Sequence, residues 1–383
     1  MKIGIVTYHR ALNYGAVLQC MSLYSALKRL GHDVEVVDYR PEAIEAYRMY
    51  FRWKDFKKCR GIVAKLRYLF SCMTLIVSRF KTVRKFNRFL KDNIKLSSVV
   101  SSVNDAPKYY DVVFFGSDQI WNPAINEGVD QIYLGQMPKG HAKFYTYAVS
   151  MGRLDLFQGK VEEEYRKYIS SFDGLSVRET TMQSFLKEKL GRDSDVVCDP
   201  SLLITKEECE AMAVKPKDEG YVLLFILDGN PDALGFSNRI AQQLGKKVIR
   251  IGAVQNPFHR YHSEVRAELS PAEFLGYIQY ADCIVTNSFH ATSFSLIMQK
   301  NFYTILRKNN NDRAKTILGV AGLENRLADA KAHVEFKEIN YQGVGERLDR
   351  YKERSMEWIQ KCLDAEMADG GIELPIIKCV NVK

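Results

Sequence analysis

A histidine stands where a buried strand is expected to end and a helix to begin. It is His290, within TNSFHATSFSL at residues 286–296, and its small neighbours Ser288, Ala291 and Thr292 suit a turn. The helix that follows would present free N–H groups and the positive end of its dipole. An imidazole at this position either packs structurally or contacts an anion and moves protons, and its setting favours the functional interpretation.

An arginine at the end of another strand is the second candidate for chemistry. Arg178 closes the segment DGLSVRE, where its planar fork would match a carboxylate or a phosphate. The alternative is a structural ion pair with Glu179 or Asp199. A further cationic set, which could clamp a phosphate or carboxylate, follows a later strand and consists of Arg307, Lys308 and Arg313.

A glycine turn follows the first strand. Asn13 and Tyr14 precede Gly15, which would let the backbone approach a ligand, and the next helix offers free N–H groups. We predict that Asn13 and Tyr14 contact an acceptor substrate, although a plain tight turn explains the same residues. The pattern is not GxGxxG, so a dinucleotide site is not indicated.

The segment GSDQIWN, residues 116–122, combines a hydroxyl, a carboxylate and an indole. Ser117 and Asp118 would form hydrogen bonds with sugar hydroxyls, and Trp121 would offer its aromatic face to a sugar ring. The alternative for Asp118 is a helix N-cap.

The elements around these residues alternate between strands and helices. At 383 residues the chain is too long for one ordinary core, so two domains are expected. The alternation predicts an α/β fold with two Rossmann-like, doubly wound domains at 1–212 and 221–343. The polar stretch 213–220 would link them, and 344–383 would form a C-terminal helix and tail that packs back across both domains. Ligands in such sheets bind at the carboxyl ends of the strands, which places the polar turns in one cleft.

The net charge of +9 is concentrated in one segment. Residues 48–92 carry a local charge of +12, which leaves −3 for the rest of the chain. We predict a basic helical insertion at 44–95, and a pair of amphipathic helices at 47–92 would fit an anionic membrane surface. The alternative is an insertion with a solvated basic face. Nucleic acid is not predicted, because no recognition motif accompanies the charge.

The eight cysteines form no CxxC pair and have no metal-ligand spacing. We therefore expect reduced thiols in a cytoplasmic protein and no metal site. The start MKIGIVTYH resembles a short strand rather than a signal peptide.

Five segments together resemble the polysaccharide pyruvyl transferase family. In chain order they are NYGAVLQ, FGSDQIWN, SVRE, DPSLL and TNSFHATSFSL. The resemblance implies a GT-B-like fold and transfer of a pyruvyl group from phosphoenolpyruvate to two hydroxyls of a saccharide, giving a cyclic ketal and phosphate. It implies no metal or nucleotide cofactor.

The same resemblance assigns roles to residues. Arg178 and His290 would contact the donor, and Asp118 would be a further catalytic group. Some members have an arginine two residues before the histidine, where this chain has Ser288, so Ser288, backbone amides or Arg313 would contact the donor phosphate instead. The acceptor in this family is often a saccharide on an isoprenoid diphosphate carrier, which would place the protein in the cytoplasm, peripheral to the inner membrane.

Two other functions stay open at this stage. A GT-B glycosyltransferase would use a nucleotide sugar, for which no uridine-binding surface is evident. A non-catalytic protein of capsule assembly is the other, for which Ser288 is the only indication.

Overall fold

Two parallel β-sheets form the framework of the chain. The computed structural model describes residues 1–227, 230–252, 264–306 and 312–369, so Arg307 and Lys308 lie outside the described residues. The first sheet contains β1 Lys2–Val6, β2 Asp33–Tyr39, β3 Leu96–Val100, β4 Val112–Asp118, β5 Lys143–Val149, β6 Ser176–Val177 and β7 Asp195–Val196. The second contains β8 Tyr221–Phe225, β9 Lys247–Ile251, β10 Glu264–Arg266, β11 Cys283–Thr286, β12 Phe302–Ile305 and β13 Leu327–Ala328.

The strand order is the same in both sheets. It is β3-β2-β1-β4-β5-β6-β7 in the first and β10-β9-β8-β11-β12-β13 in the second, and all pairs are parallel. In each, the first strand is central and the order reverses beside it, which is the Rossmann arrangement. The predicted α/β fold with two Rossmann-like domains is therefore confirmed.

Helices connect the strands, as right-handed crossovers between parallel strands require. In the first half they are α1 Tyr14–Arg29, α2 Glu42–Arg48, α3 Trp53–Lys58, α4 Ile62–Asn93, α5 Lys160–Tyr168, α6 Thr180–Leu190 and α7 Lys206–Met212. In the second half they are α8 Asp232–Leu244, α9 Pro271–Gln279, α10 Phe289–Ile297, α11 Asp312–Ala321 and α12 Val344–Asp369.

The basic insertion consists of α2, α3 and α4 rather than a pair of helices. Gly61, at φ 80°, precedes α4, and the next 32 residues contain neither glycine nor proline, so the helix continues to Asn93. The last third of the helix packs against the core of the protein through the buried side chains of Phe86, Phe89 and Leu90. None of the described helices is long and apolar enough to cross a lipid bilayer.

The segment between the two sheets packs against the second domain. Residues 213–220 contain no helix or strand, and the Val214 amide donates to the Ala272 carbonyl at 3.1 Å. The carbonyl of Val214 approaches α9 so closely that a Cβ on Gly276 would lie 1.8 Å from it. The start of the second domain is thus fixed by a backbone contact that only glycine permits.

The C-terminal helix α12 contacts both domains, as predicted. On the first, Trp358 donates from Nε1 to Asp195 at 2.9 Å, and Ser355 Oγ accepts from the Cys198 amide at 2.8 Å. On the second, Arg347 donates to the Ala321 carbonyl at 2.7 Å.

The two domains also share an apolar interface. Tyr14 of α1 stacks on Phe274 of α9 with ring centroids 4.5 Å apart, and both belong to a continuous core that includes residues of each sheet. A packed interface of this kind holds the carboxyl ends of the two sheets against each other.

Candidate active site

A buried carboxylate occupies the meeting point of the two domains. Asp199 follows β7, and its Oδ2 accepts from Arg178 Nη1 at 2.6 Å and from Ser117 Oγ at 3.4 Å. His290 Nε2, from the second domain, lies 3.8 Å from the same oxygen. Burial favours the neutral acid, but His290, in the protonated form that it takes in acid, and Arg178 outweigh this effect and lower the pKa of Asp199 to about 2.

Arg178 is held at the end of β6 by three carboxylates. Besides Asp199, its Nε donates to Glu179 Oε1 at 3.1 Å, and its Nη2 lies 3.9 Å from Asp118 Oδ1. Burial alone would lower the pKa of this guanidinium, but the three acids raise it. Nη2 is buried and has no hydrogen-bond partner among the described residues. The structural ion pairs that were the alternative to a ligand contact are therefore present. Among the described residues, the Nη2 amino group still has no partner and remains for a ligand.

His290 lies in the first turn of α10, facing the first turn of α1. A Cβ on Gly15 would lie 2.3 Å from its Nδ1, so the imidazole packs directly on the glycine backbone of the opposite domain. Burial lowers the pKa of His290, which keeps the ring neutral near pH 7. Within the described part of the chain, its buried Nε2 has no hydrogen-bond partner.

A second guanidinium, from α11, completes the cluster. Arg313 Nε lies 3.7 Å from Glu179 Oε1, and Arg313 and Arg178 both lie against the Phe289 ring, 5.5 and 5.9 Å from its centroid. Burial, followed by repulsion from Arg178, lowers the pKa of Arg313 to about 10. Both arginines line a cavity of about 130 Å³ together with the first residues of α6, Thr180 and Thr181.

Asp118 stands at the carboxyl end of β4 with a left-handed backbone, at φ 69°. A non-glycine residue rarely adopts this conformation, and strain of this kind is concentrated at functional sites. Its side chain is 16% exposed and lies beside Arg178. The alternative role as a helix N-cap is excluded, because a turn and not a helix follows.

The cluster has an unusual charge balance. The two guanidinium groups and three carboxylates are linked by ion pairs shorter than 4.0 Å. Because the imidazole is neutral, the net charge of the cluster is −1. An arriving anion would raise the pKa of the imidazole, because it favours the protonated form of the ring. The arrangement can therefore both bind an anion and supply a proton to it.

The structure gives Ser288 and Asn13 capping roles. Ser288 is buried, and its hydroxyl accepts from the Ala291 amide at the start of α10. Asn13 accepts from the amides of Gly15 and Ala16 at the start of α1. Asn13 remains exposed and, with Tyr14, lines a separate cavity of about 330 Å³ between α4 and the second domain.

Two predicted acceptor contacts are wrong. Trp121 is only 1% exposed; its Nε1 donates to the Tyr133 carbonyl and its ring packs on Phe172 in the first-domain core. It cannot offer a face to a sugar. Ser117 is fully buried and donates to Asp199, so it belongs to the carboxylate network instead of an acceptor surface.

The sequence predictions missed Asp199 and Phe289 as site residues. Asp199 entered as an ion-pair alternative for Arg178 and as part of the segment DPSLL, but without a role in the site, although an Asp-Pro dipeptide favours a turn. Phe289 gives no comparable signal, because an aromatic residue beside a helix start is ordinary core material. Among residues 1–227, 230–252, 264–306 and 312–369, no group of three or more His, Cys, Asp or Glu could hold a metal ion.

Comparisons with known proteins give a family and a set of distant folds. The family model described as polysaccharide pyruvyl transferase matches residues 13–309. Curated protein sequences give no match. Among solved structures, UDP-GlcNAc 2-epimerase from Methanocaldococcus jannaschii is similar at 10% identity over 92% of this chain and 93% of that chain, with a TM-score of 0.43. The glycosyltransferase SnogD from Streptomyces nogalater is similar at 12% identity over 96% and 99%, with a TM-score of 0.42.

Proposed function

Because the chain belongs to the polysaccharide pyruvyl transferase family, we propose that it transfers the pyruvyl group of phosphoenolpyruvate to two hydroxyls of a saccharide. The products are a cyclic ketal and phosphate, and no cofactor takes part. One observation supports the proposal above the others. A guanidinium N–H and an imidazole nitrogen, from opposite domains, are both buried without a partner among the described residues and lie beside the same carboxylate.

The donor is proposed to bind at the two arginines. Arg178 Nη2 would donate to the carboxylate or phosphate of phosphoenolpyruvate, and Arg313 would supply the second cation from the other domain. The free amides at the start of α6, in the same cavity, would add hydrogen-bond donors for the phosphate. The site would thus be complementary to a small molecule with two anionic groups.

The reaction begins when a proton adds to the methylene carbon of phosphoenolpyruvate, leaving positive charge on the carbon that carries the carboxylate and phosphate. One sugar hydroxyl attacks that carbon and loses its proton. The bond to phosphate oxygen breaks with its electron pair going to phosphate, and the second hydroxyl closes the ring. The two hydroxyl protons are balanced by one on the new methyl group and one on phosphate.

His290 and Asp118 are proposed to move these protons. The neutral imidazole of His290 would accept a hydroxyl proton at Nε2 and deliver it to the leaving phosphate. Asp118, beside Arg178 and partly exposed, would protonate the methylene carbon from its carboxyl group. Arg178 would stabilise the phosphate as it leaves.

The acceptor is proposed to be a saccharide on an isoprenoid diphosphate carrier, used in surface polysaccharide biosynthesis such as exopolysaccharide or capsule. Asn13 and Tyr14 would contact it at the cavity beside α4, on the first-domain side of the site. Such an acceptor would place the protein in the cytoplasm, in peripheral contact with the inner membrane through residues 47–92.

The test is phosphate release from phosphoenolpyruvate in the presence of candidate lipid-linked saccharides, with mass spectrometry of the product. Wild-type protein should release one phosphate per transfer, and the saccharide should gain the mass of phosphoenolpyruvic acid less that of phosphoric acid. His290→Asn and Arg178→Lys should lose most activity, on the order of 10²-fold or more, whereas the exposed pair His141→Asn and Arg153→Lys should not.

Thermal protection distinguishes the alternatives. Phosphoenolpyruvate should raise the Tm of the wild type but not of Arg178→Lys, since lysine has no counterpart of the Nη2 group proposed to contact the donor. Protection by nucleotide sugars and none by phosphoenolpyruvate would instead identify a glycosyltransferase. Protection by neither, with no phosphate release, would identify a non-catalytic protein.

A further inference from the structure

Helix α4 exposes an unbroken apolar face. Nine large apolar side chains along its first five turns are 37–76% exposed: Ile62, Val63, Leu66, Leu69, Phe70, Met73, Ile76, Val77 and Phe80. At 3.6 residues per turn they fall within an arc of about 140° on one side of the helix, over a length of roughly 28 Å. Soluble proteins seldom leave an apolar patch of this size without a partner.

The opposite side of the same helix is already occupied. Tyr68 exchanges hydrogen bonds with the backbone of Arg52, and Phe86 is buried in the core. Lys81 and Lys85 form ion pairs with Glu268 and Glu273 of the second domain. These contacts fix the rotation of α4, so its apolar face points to solvent because the helix is anchored and not because it is loose.

The exposed face becomes cationic where its apolar row ends. After Phe80 the same side carries Arg84, Arg88 and Lys91, all exposed, and neither Arg84 nor Lys91 pairs with an acidic side chain among the described residues. Between Asp55 and Asp92 the sequence contains no acidic residue. The face is thus an apolar strip continued by positive charge, of which Arg88 is paired with Asp92 at 3.5 Å.

We propose that this face of α4 lies on the surface of an anionic lipid bilayer. The apolar strip would insert at the level of the acyl boundary, and the cations would contact headgroup phosphates. The alternative is that the apolar strip packs against a second copy of the chain in a dimer. It would bring two cationic faces together, and the single acid on α4, Asp92, already pairs with Arg88. Anionic lipid, in contrast, supplies the complementary charge.

Docking in this orientation has a consequence for the acceptor. Leu75, Ser78 and Thr82, on the inner side of α4, line the cavity that also contains Asn13 and Tyr14. The mouth of this cavity would then open beside the bilayer, within reach of a saccharide that remains attached to its lipid. This placement of the acceptor rests on the proposed function, whereas lipid binding itself does not.

The experiment is co-sedimentation of the full chain with vesicles of phosphatidylcholine, alone or mixed with phosphatidylglycerol. The wild type should bind the mixed vesicles and lose binding as salt is raised. Leu66→Glu with Met73→Glu should abolish binding, and Val214→Glu, an equally exposed site elsewhere, should not. Arg84→Gln and Lys91→Gln should each weaken binding to mixed vesicles about fivefold.

Three results would overturn the proposal. They are unchanged binding by the Leu66→Glu, Met73→Glu variant, equal binding to vesicles with and without phosphatidylglycerol, and a wild-type dimer in light scattering that this variant dissociates. Phosphate release with a lipid-free saccharide separates the two hypotheses. The Leu66→Glu, Met73→Glu variant should keep this activity, so its loss of vesicle binding concerns the lipid contact of α4 alone. If the wild type releases no phosphate in this assay, the proposed reaction is wrong, and the lipid-binding proposal is unaffected.

Discussion

At the scale of single residues, the contact between Gly15 and His290 explains two sequence features together. The glycine that was expected to approach a ligand approaches the imidazole, whose Nδ1 would be 2.3 Å from any Cβ at that position. His290 is therefore positioned by the opposite domain. Its free Nε2 can then face the reacting groups beside Asp199.

We predict that Gly15→Ala displaces the imidazole and lowers kcat by about 10²-fold, because misplacement by about 1 Å has effects of this size. The control is Gly345→Ala, which also changes the second residue of a helix but has no atom within 4 Å of the new Cβ. It should leave kcat unchanged. Equal activity of the two variants would remove the positional argument for His290.

Asp199→Asn tests the electrostatic link between the two domains. The negative charge of Asp199 raises the pKa of His290 against the larger opposing effect of burial. Without it the pKa falls further, so if neutral imidazole is the base, the acidic limb of the kcat/KM profile should move to lower pH. A pH–rate profile measures this, and an unmoved limb in an active variant would assign the limb to another group.

Sequence reasoning selected Arg178, Asp118, Arg313 and His290, and the structure brings these four together. It failed for Trp121 because the direction of a side chain after a strand depends on the loop, and the loop here turns the indole toward Tyr133 and Phe172. Periodicity contains no information about such a turn. The resemblance to a family supplied the motif but not the orientation.

At the scale of elements, α9 is in close contact with the linker at residues 213–220. Its start has a local cause: Ser270 and Glu273 form the capping box, and Pro271 occupies the first turn. What the sequence could not show is that Gly276 faces the Val214 carbonyl, because that contact joins residues 62 positions apart. Local patterns determine helix ends, whereas close packing between elements is a tertiary property.

Gly276→Ala should accordingly destabilise the protein by about 1–3 kcal/mol, since the new methyl group would meet backbone 1.8 Å away. Gly235→Ala is the matched change in α8, where the nearest atom is a flexible Arg239 nitrogen at 3.6 Å. That variant should gain roughly 0.5–1 kcal/mol from helix propensity. Urea unfolding compares the two, and a stable Gly276→Ala protein would show that the linker can move freely.

At the scale of the whole molecule, α12 fastens the two domains to each other. Trp358 packs against Phe114, Tyr145 and Tyr147 of the first sheet, although it lies more than 200 residues beyond them in the chain. The sequence predicted the helix and its crossing of both domains. It did not predict which surface the helix covers, because charged residues dominate its pattern.

Trp358→Ala should therefore destabilise the first domain by about 3–5 kcal/mol, through lost packing and the lost hydrogen bond to Asp195. Calorimetry should then resolve an early transition for this domain. Trp53→Ala, at a position 60% exposed, should change stability by no more than about 0.5 kcal/mol. A single unshifted transition in both variants would mean that α12 contributes little to the first domain.

The crossing of α12 also sets an order of events during synthesis. When the ribosome has synthesised β7, every strand of the first sheet is present. The aromatic surface that Trp358 covers nevertheless stays exposed until α12 has been synthesised. A truncated product would leave that surface open to chaperones and proteases. Only a polypeptide that already contains α12 can cover this surface, so a product that ends before this helix keeps exposed aromatic side chains.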